Sequence, residues 1–249
     1  MQHLLRKQII TGALLLCISF ASMAQRGDVY QPFYDEDLFY LGFNVGINNN
    51  YYNFNRNVEF ASPAAGAVSS INPKNNISLT MGLAGTLRLS THTLLRLNPT
   101  VVIAGSKNLF TFTRIEYPNS NPTMNAATAL INIPLALKIV SDRYNAFHYT
   151  DIMRHYVFVG GKIDYDLVGP NGSIQNSTSG SEPIYKNIFN SLDYGYEMGL
   201  GVSFYLPYAT ISPEVKFSYG VRNLNKGAPL LSSIRDITSN FVYFTIHVE

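Results

Sequence analysis

The chain has 249 residues, with 18 Lys and Arg against 16 Asp and Glu, and only 14% of its residues are charged. A soluble domain carries about a quarter, and the formal net charge of +2 leaves no basic surplus for the stripe that nucleic acid would want. One cysteine and no tryptophan leave no material for a disulfide framework or an indole girdle.

Arg6 and Lys7 precede an apolar run from Ile9 to Phe20, and Ser22 and Ala24 stand at the positions where a signal peptidase needs small residues. Residues 1–24 are therefore expected to be a Sec-type signal peptide, cut to leave Gln25. Cys17 is a candidate lipid anchor, but Leu16 stands where a small residue is needed and the apolar run continues past it. The leader takes two of the basic residues and none of the acidic ones, so Lys+Arg and Asp+Glu balance at 16 each beyond it. No later run reaches the 18 apolar residues of a membrane-spanning helix.

Residues 25–37 form a polar lead-in ending in Asp35-Glu36-Asp37. From residue 38 to 249 the pattern is alternation. The first predicted strand carries Phe39, Leu41, Phe43, Val45 and Ile47 on one face, with an Asn-rich loop expected over 48–76. The second carries Ile77, Leu79, Met81, Leu83, Leu87 and Leu89 against Ser78, Thr80, Gly82, Ala84, Thr86 and Arg88. After a short turn at Ser90 to His92, the third sets Leu95, Leu97, Val101 and Ile103 against Arg96, Asn98, Thr100 and Ala104. It continues through aromatic 109–117, beyond the membrane. The fourth runs from Ala127 to Val140, with Asn132, Ala136 and Lys138 on its polar face. The fifth runs from Arg154 to Leu167, with Tyr156, Phe158, Gly160, Lys162, Asp164 and Asp166 on that face.

The sixth and seventh form a long hairpin. Tyr194, Tyr196, Met198, Leu200, Val202 and Phe204 alternate with Asp193, Gly195, Glu197, Gly199, Gly201 and Ser203. Beyond Leu206-Pro207-Tyr208, Ile211, Val215, Phe217 and Tyr219 alternate with Ser212, Glu214, Lys216, Ser218 and Arg222. The eighth, from Ser239 to Glu249, offers Val242, Phe244, Ile246 and Val248. Pro99, Pro134 and Pro213 fall inside these strands and predict bulges or strand ends, because each removes a ladder donor.

Period two alone does not say which face is inside. A soluble barrel turns its apolar face inward and an outer-membrane barrel turns it to lipid. The polar face here is mostly Gly, Ser and Thr with few charges, which suits a crowded interior, whereas Arg or Lys at mid-depth against lipid would cost roughly 2–4 kcal/mol. The expected fold is all-β, an eight-stranded antiparallel transmembrane barrel of outer-membrane type. Long connections follow strands one, three, five and seven, and tight ones follow two and six, as expected when both termini lie in the periplasm. The fourth connection, residues 141–153, is longer than a hairpin needs. Eight strands leave room for side chains but not for a wide channel.

The inward charges are Arg88, Arg96, Lys138, Lys162, Asp164, Asp166, Asp193, Glu197, Glu214, Lys216 and Arg222. They form either a proton or ligand site or a paired ionic core, since unpaired buried charge is costly. Connection 141–153 sets Tyr144, Phe147 and Tyr149 beside Arg143, residue types enriched at binding hot spots. It is a candidate periplasmic partner loop, or else a loop whose aromatics rest at the membrane interface.

Gly195, Gly199 and Gly201 lie inside a strand, not in the strand-to-helix turn of a phosphate loop. His148, Asp151 and His155 lack fixed metal-ligand spacing. Asn76, Asn171 and Asn176 open Asn-x-Ser/Thr triplets that matter only in a glycosylating host. No nucleophile elbow occurs. Neither catalysis, a cofactor nor a small-molecule substrate is expected; outer-membrane lipid is.

Ile133-Pro134-Leu135 with Lys138, Arg143-Tyr144-Asn145, Gly160-Gly161-Lys162 and Asp164-Tyr165-Asp166-Leu167 resemble the PorT family of Bacteroidetes barrels. So, most specifically, do Asp193-Tyr194-Gly195, Gly199-Leu200-Gly201, Phe204-Tyr205-Leu206-Pro207-Tyr208 and Ile211-Ser212-Pro213-Glu214-Val215-Lys216-Phe217-Ser218-Tyr219-Gly220. The resemblance covers Leu38 to the C-terminus. It implies a non-enzymatic outer-membrane component required for export by the type IX secretion system, and for motility in gliding hosts, with other secretion components as partners. The ending His247-Val248-Glu249 departs from the aromatic that usually closes such a chain. The alternatives are a generic small barrel for envelope integrity or adhesion, and a membrane-embedded hydrolase or acyltransferase.

Overall fold

The strands are built by the alternation itself: along the long strands apolar residues point outward, and the inward positions are mostly small or polar, with a few buried aromatic and aliphatic side chains such as Phe158 and Leu94 among them. The computed structural model describes residues 37–57, 68–73, 75–114, 123–144, 152–167, 173–175, 185–186, 189–227 and 234–249. In chain order the strands are β1 (Phe39–Arg56), β2 (Val68–Pro73), β3 (Asn76–Ser90), β4 (Thr93–Leu97), β5 (Thr100–Arg114) and β6 (Thr123–Val140). They continue as β7 (Met153–Asp166), β8 (Ser173–Gln175), β9 (Tyr185–Lys186), β10 (Leu192–Tyr205), β11 (Thr210–Gly220) and β12 (Ile234–Val248).

All pairings are antiparallel. The order β5-β3-β1-β12-β11-β10-β7-β6 closes through β5–β6 into a ring. With β4 and β5 counted as one wall strand, eight strands form the ring, as the alternation predicts. First and last strands meet in one register, from Phe43 opposite Val248 to Asn55 opposite Asp236. The short strands β2, β8 and β9 extend the sheet at the long-loop end, on β5 and β6.

The faces sort as expected. Leu41, Leu79, Leu83, Ile163, Leu200 and Phe244 are exposed, while Asn44, Thr80, Asn132, Glu197 and Ser218 are buried. The core lies in the bore, and a continuous apolar belt faces out.

Three expectations are corrected. The loop expected from Asn48 is strand: β1 runs on to Arg56 because Asn50 pairs with both Asn76 and Phe241, and ladder pairing outweighs the poor strand preference of Asn. β12 starts at Ile234, before Ser239, for the same reason. The prolines make no bulge. Pro99 separates β4 from β5 as a strand end, but the register runs unchanged from Gly85↔Leu97 to Gly82↔Thr100. Pro134 lies inside β6. Asn98 donates to its carbonyl at 3.3 Å, and the return bond that Pro134 cannot give is replaced by the Thr100 hydroxyl, donating to the Asn98 carbonyl at 3.1 Å. Pro213 stays in register opposite Ile246.

Candidate functional site in the barrel interior

The inward positions of neighbouring strands fall into layers, and the charges in each layer find one another. At the short-turn end Arg96 leaves β4 and donates from Nη2 to Glu214 Oε2 on β11 at 2.6 Å, with both side chains buried. These strands are four apart whichever way the ring is counted, so the pair spans the full bore. Tyr156 on β7 donates to the same carboxylate oxygen at 3.1 Å, and His247 Nε2 on β12 lies 3.5 Å from the other oxygen. Lys138 on β6 sits 3.8 Å above the Tyr156 ring, and the Arg96 guanidinium sits 4.8 Å above Phe158.

A second layer lies further along. Lys162 donates to Asp164 at 2.5 Å, and Asn132 donates to the other oxygen of Asp164 at 2.5 Å. Lys216 reaches Glu197 at 3.1 Å and donates to the Asn132 side-chain Oδ1 at 3.3 Å. Toward the long-loop end the Ser239 hydroxyl donates to Asp193 at 2.5 Å.

Glycine supplies the room. Built on Gly201, a Cβ would collide with Tyr156, and on Gly199 with Phe158, so the two glycines leave the space that these rings occupy. Leu94, Ala136, Val140, Tyr156 and Phe158 form one buried apolar cluster, and Val102, Leu130, Phe241 and Tyr243 form another.

Of the predicted interior charges, Arg96, Lys138, Lys162, Asp164, Asp193, Glu197, Glu214 and Lys216 are buried in this network. Arg88, Asp166 and Arg222 lie half-buried at the ends; the Arg88 Nε donates to the Asp37 backbone carbonyl at 3.1 Å. Sequence reasoning missed His247 and Arg154, both buried, although each has inward parity on its strand.

In the partner-loop candidate, β6 and β7 continue past Val140 as a hairpin extension, with Tyr144 and Met153 exchanging backbone hydrogen bonds at 2.9 and 3.2 Å. Arg143 lies 3.7 Å over the Tyr205 ring, and the Tyr144 hydroxyl bonds His155. Both side chains are half-buried against the rim, not freely displayed. Phe147 and Tyr149 lie outside the described residues, as do His148 and Asp151. Among the described residues no group of His, Cys, Asp and Glu could hold a metal ion.

Residues 24–226 match the family model described as outer membrane protein beta-barrel domain. Among solved structures, the chain is similar to Neisserial surface protein A, with 10% identity, 83% of this chain and 96% of that one covered, and a TM-score of 0.40. It is similar to Ail, the attachment invasion locus protein of Yersinia pestis, with 7% identity, 84% and 96% covered, and a TM-score of 0.38. OprG from Pseudomonas aeruginosa gives 10%, 84% and 93%, and 0.37. No curated protein matches. With its apolar face to lipid and its charges enclosed, the chain belongs to the outer-membrane protein beta-barrel domain family and resides in the outer membrane.

Proposed function

We propose that this barrel is a non-enzymatic component required for protein export by the type IX secretion system, and for motility in gliding hosts. The observation that carries the reading is where the PorT-like residues lie. Lys138, Lys162, Asp164, Asp193, Glu214 and Lys216 are all in the buried network, with Gly199 and Gly201 beneath its aromatic rings. The resembling residues therefore specify one filled barrel, not a lipid-facing pattern any barrel would share. A bore crossed by Arg96 and Glu214 leaves no room for a polypeptide, so the contribution to export is made at the barrel's surface or rim. Contact with periplasmic machinery is assigned to residues 141–153, at the short-turn end. Delivery uses residues 1–24 as a cleaved leader, with 25–37 as lead-in and 38–249 as barrel; N-terminal sequencing of the mature chain should begin at Gln25.

Deleting the gene and measuring proteins released to the medium tests the export reading. Loss of released cargo, restored by the intact gene, is expected. Normal export with a leaky envelope or lost adhesion would instead establish the generic barrel. Turnover of lipid substrates by the purified barrel would establish an enzyme.

A further inference from the structure

The outer wall is not smooth. A groove of about 600 Å³ crosses β1, β12, β11 and β10, and almost all of its lining is carbon. Ile47, Leu200, Phe244 and Ile246 stand exposed along it, while Val202 and Val215 are half-buried between them. Gly46, Gly201 and Glu214 line it as well, yet all three have inward parity, and the Glu214 side chain is fully enclosed in the bore. What they contribute to the groove is main chain, so its floor is the bare sheet between short side chains.

The register fixes which way the groove runs. The row that starts at Asn49 on β1 passes through Val242 on β12, Phe217 on β11 and Met198 on β10. Followed on through β7, β6, β4 and β3, it returns to β1 at Phe39, ten residues nearer the short-turn end. Each step from β1 toward β10 therefore descends. The groove follows that slope, from Ile47 midway along β1 to Val202, three residues from the end of β10. Four strands at about 4.8 Å spacing make it about 15 Å long, the depth of one leaflet in a hydrocarbon core about 30 Å thick. At its foot, His155 on β7 lies exposed opposite Val202. The His155 ring bonds the Tyr144 hydroxyl, and its backbone N–H donates to the Ser141 hydroxyl at 3.0 Å. Polar groups thus begin where the groove ends.

Lipid tails are as apolar as Leu200, so escape from water draws nothing into the groove. Contact does: a tail on a convex wall touches protein on one side, and a tail in a groove touches it on three. Each carbon pair gains only about 0.1–0.2 kcal/mol, but a chain laid along the groove makes tens of them. The downward slope, the one-leaflet length and the polar foot at the short-turn end, which faces the periplasm, select the source of the tail.

We propose that this groove is a binding site for one acyl chain of a phospholipid in the periplasmic leaflet, with the headgroup at His155 and the methyl end near Ile47. The barrel retains this lipid, whereas lipid around the rest of the belt exchanges. The site is separate from any role in export and holds whether or not that role does.

The test is native mass spectrometry of the full-length barrel, extracted from outer membranes in mild detergent and supplied with phosphatidylethanolamine. At collision energies that strip the surrounding lipid, wild type should keep one phospholipid more than Val202→Phe/Val215→Phe, whose added rings fill the groove. Equal numbers on the two assembled proteins overturn the proposal, and so does wild type that retains only detergent or an acylated protein. Should the filled variant not assemble, fluorescence quenching decides, because the chain has no tryptophan of its own. After transfer to detergent from phosphatidylethanolamine with brominated tails, Phe244→Trp beside the groove should stay quenched. Ile163→Trp, on the exposed belt away from it, should recover. Equal quenching or equal recovery at the two positions overturns the proposal as well.

Discussion

Leu200→Arg tests the assignment of the outer face. Leu200 points outward midway along β10, opposite Val157 and Val215 on its two neighbours, and is 56% exposed. An Arg at the middle of a barrel's apolar belt costs roughly 2–4 kcal/mol, which at 1.4 kcal/mol per decade is roughly thirtyfold to several hundredfold in the folding equilibrium. The side chain cannot escape inward, because the flanking Gly199 and Gly201 are covered by Phe158 and Tyr156. Tyr208→Arg supplies the comparison. Tyr208 lies in the turn and is 94% exposed, so the same charge there should cost about 0–1 kcal/mol. Urea unfolding from liposomes, followed by heat-modifiable mobility on gels, measures both. Leu83→Arg, on the far side of the ring, should behave as Leu200→Arg does. If Arg at 83 and 200 is tolerated as well as at 208, the apolar belt does not meet lipid and the orientation argued from the sequence fails.

Gly201→Ala should destabilise by about 1–3 kcal/mol through overpacking against Tyr156, and pairing it with Tyr156→Leu should recover much of the loss in the same unfolding assay. Glu214→Ala alone, which strands the Arg96 guanidinium, should cost about 3–5 kcal/mol, whereas Arg96→Met/Glu214→Leu should unfold at nearly the wild-type urea concentration. Replacing Arg143, Tyr144 and Phe147 together with Ser should leave heat-modifiability intact and lower the amount of exported protein in the medium. Unchanged export from a normally assembled triple variant rejects 141–153 as the partner contact.

The outer face was legible because nothing competes with it: where Leu79, Met81 and Leu83 alternate with Thr80 and Gly82, only a strand places them on opposite sides. What failed to show is what tertiary pairing supplies. Asn48-Asn49-Asn50 reads as loop because Asn disfavours strands, yet in a polar bore Asn48 and Asn50 are acceptable interior residues and the ladder on both sides holds them. The start of β12 was hidden by Arg235 and Asp236, which pair with each other at 2.7 Å beyond the apolar belt. That charges would line the bore was readable from parity. That Arg96 meets Glu214 follows only once eight strands are closed into a ring, which sets the third opposite the seventh. His247 shares the inward parity of Phe241 and Tyr243, but it falls among the last three residues, where the expected feature is a terminal aromatic.

The interior charges also explain why this barrel has one register. Sliding a strand by one residue exchanges its two faces. For β11 that would carry Glu214 and Lys216 into lipid and bring Val215 and Phe217 into a bore built for ion pairs. The lysine alone would cost roughly 2–4 kcal/mol at mid-depth, and Arg96 and Glu197 would lose their partners as well. Gly199 and Gly201 add a steric lock: a slip of β10 would place Leu200 or Val202 under Phe158 and Tyr156, where even a Cβ collides. A buried ion pair is weak evidence for stability, so replacing Arg96 and Glu214 together need not unfold the protein. What the pairs provide is a penalty on every misregistered closure, and it is strongest on β10 and β11, the strands where the PorT-like residues are densest.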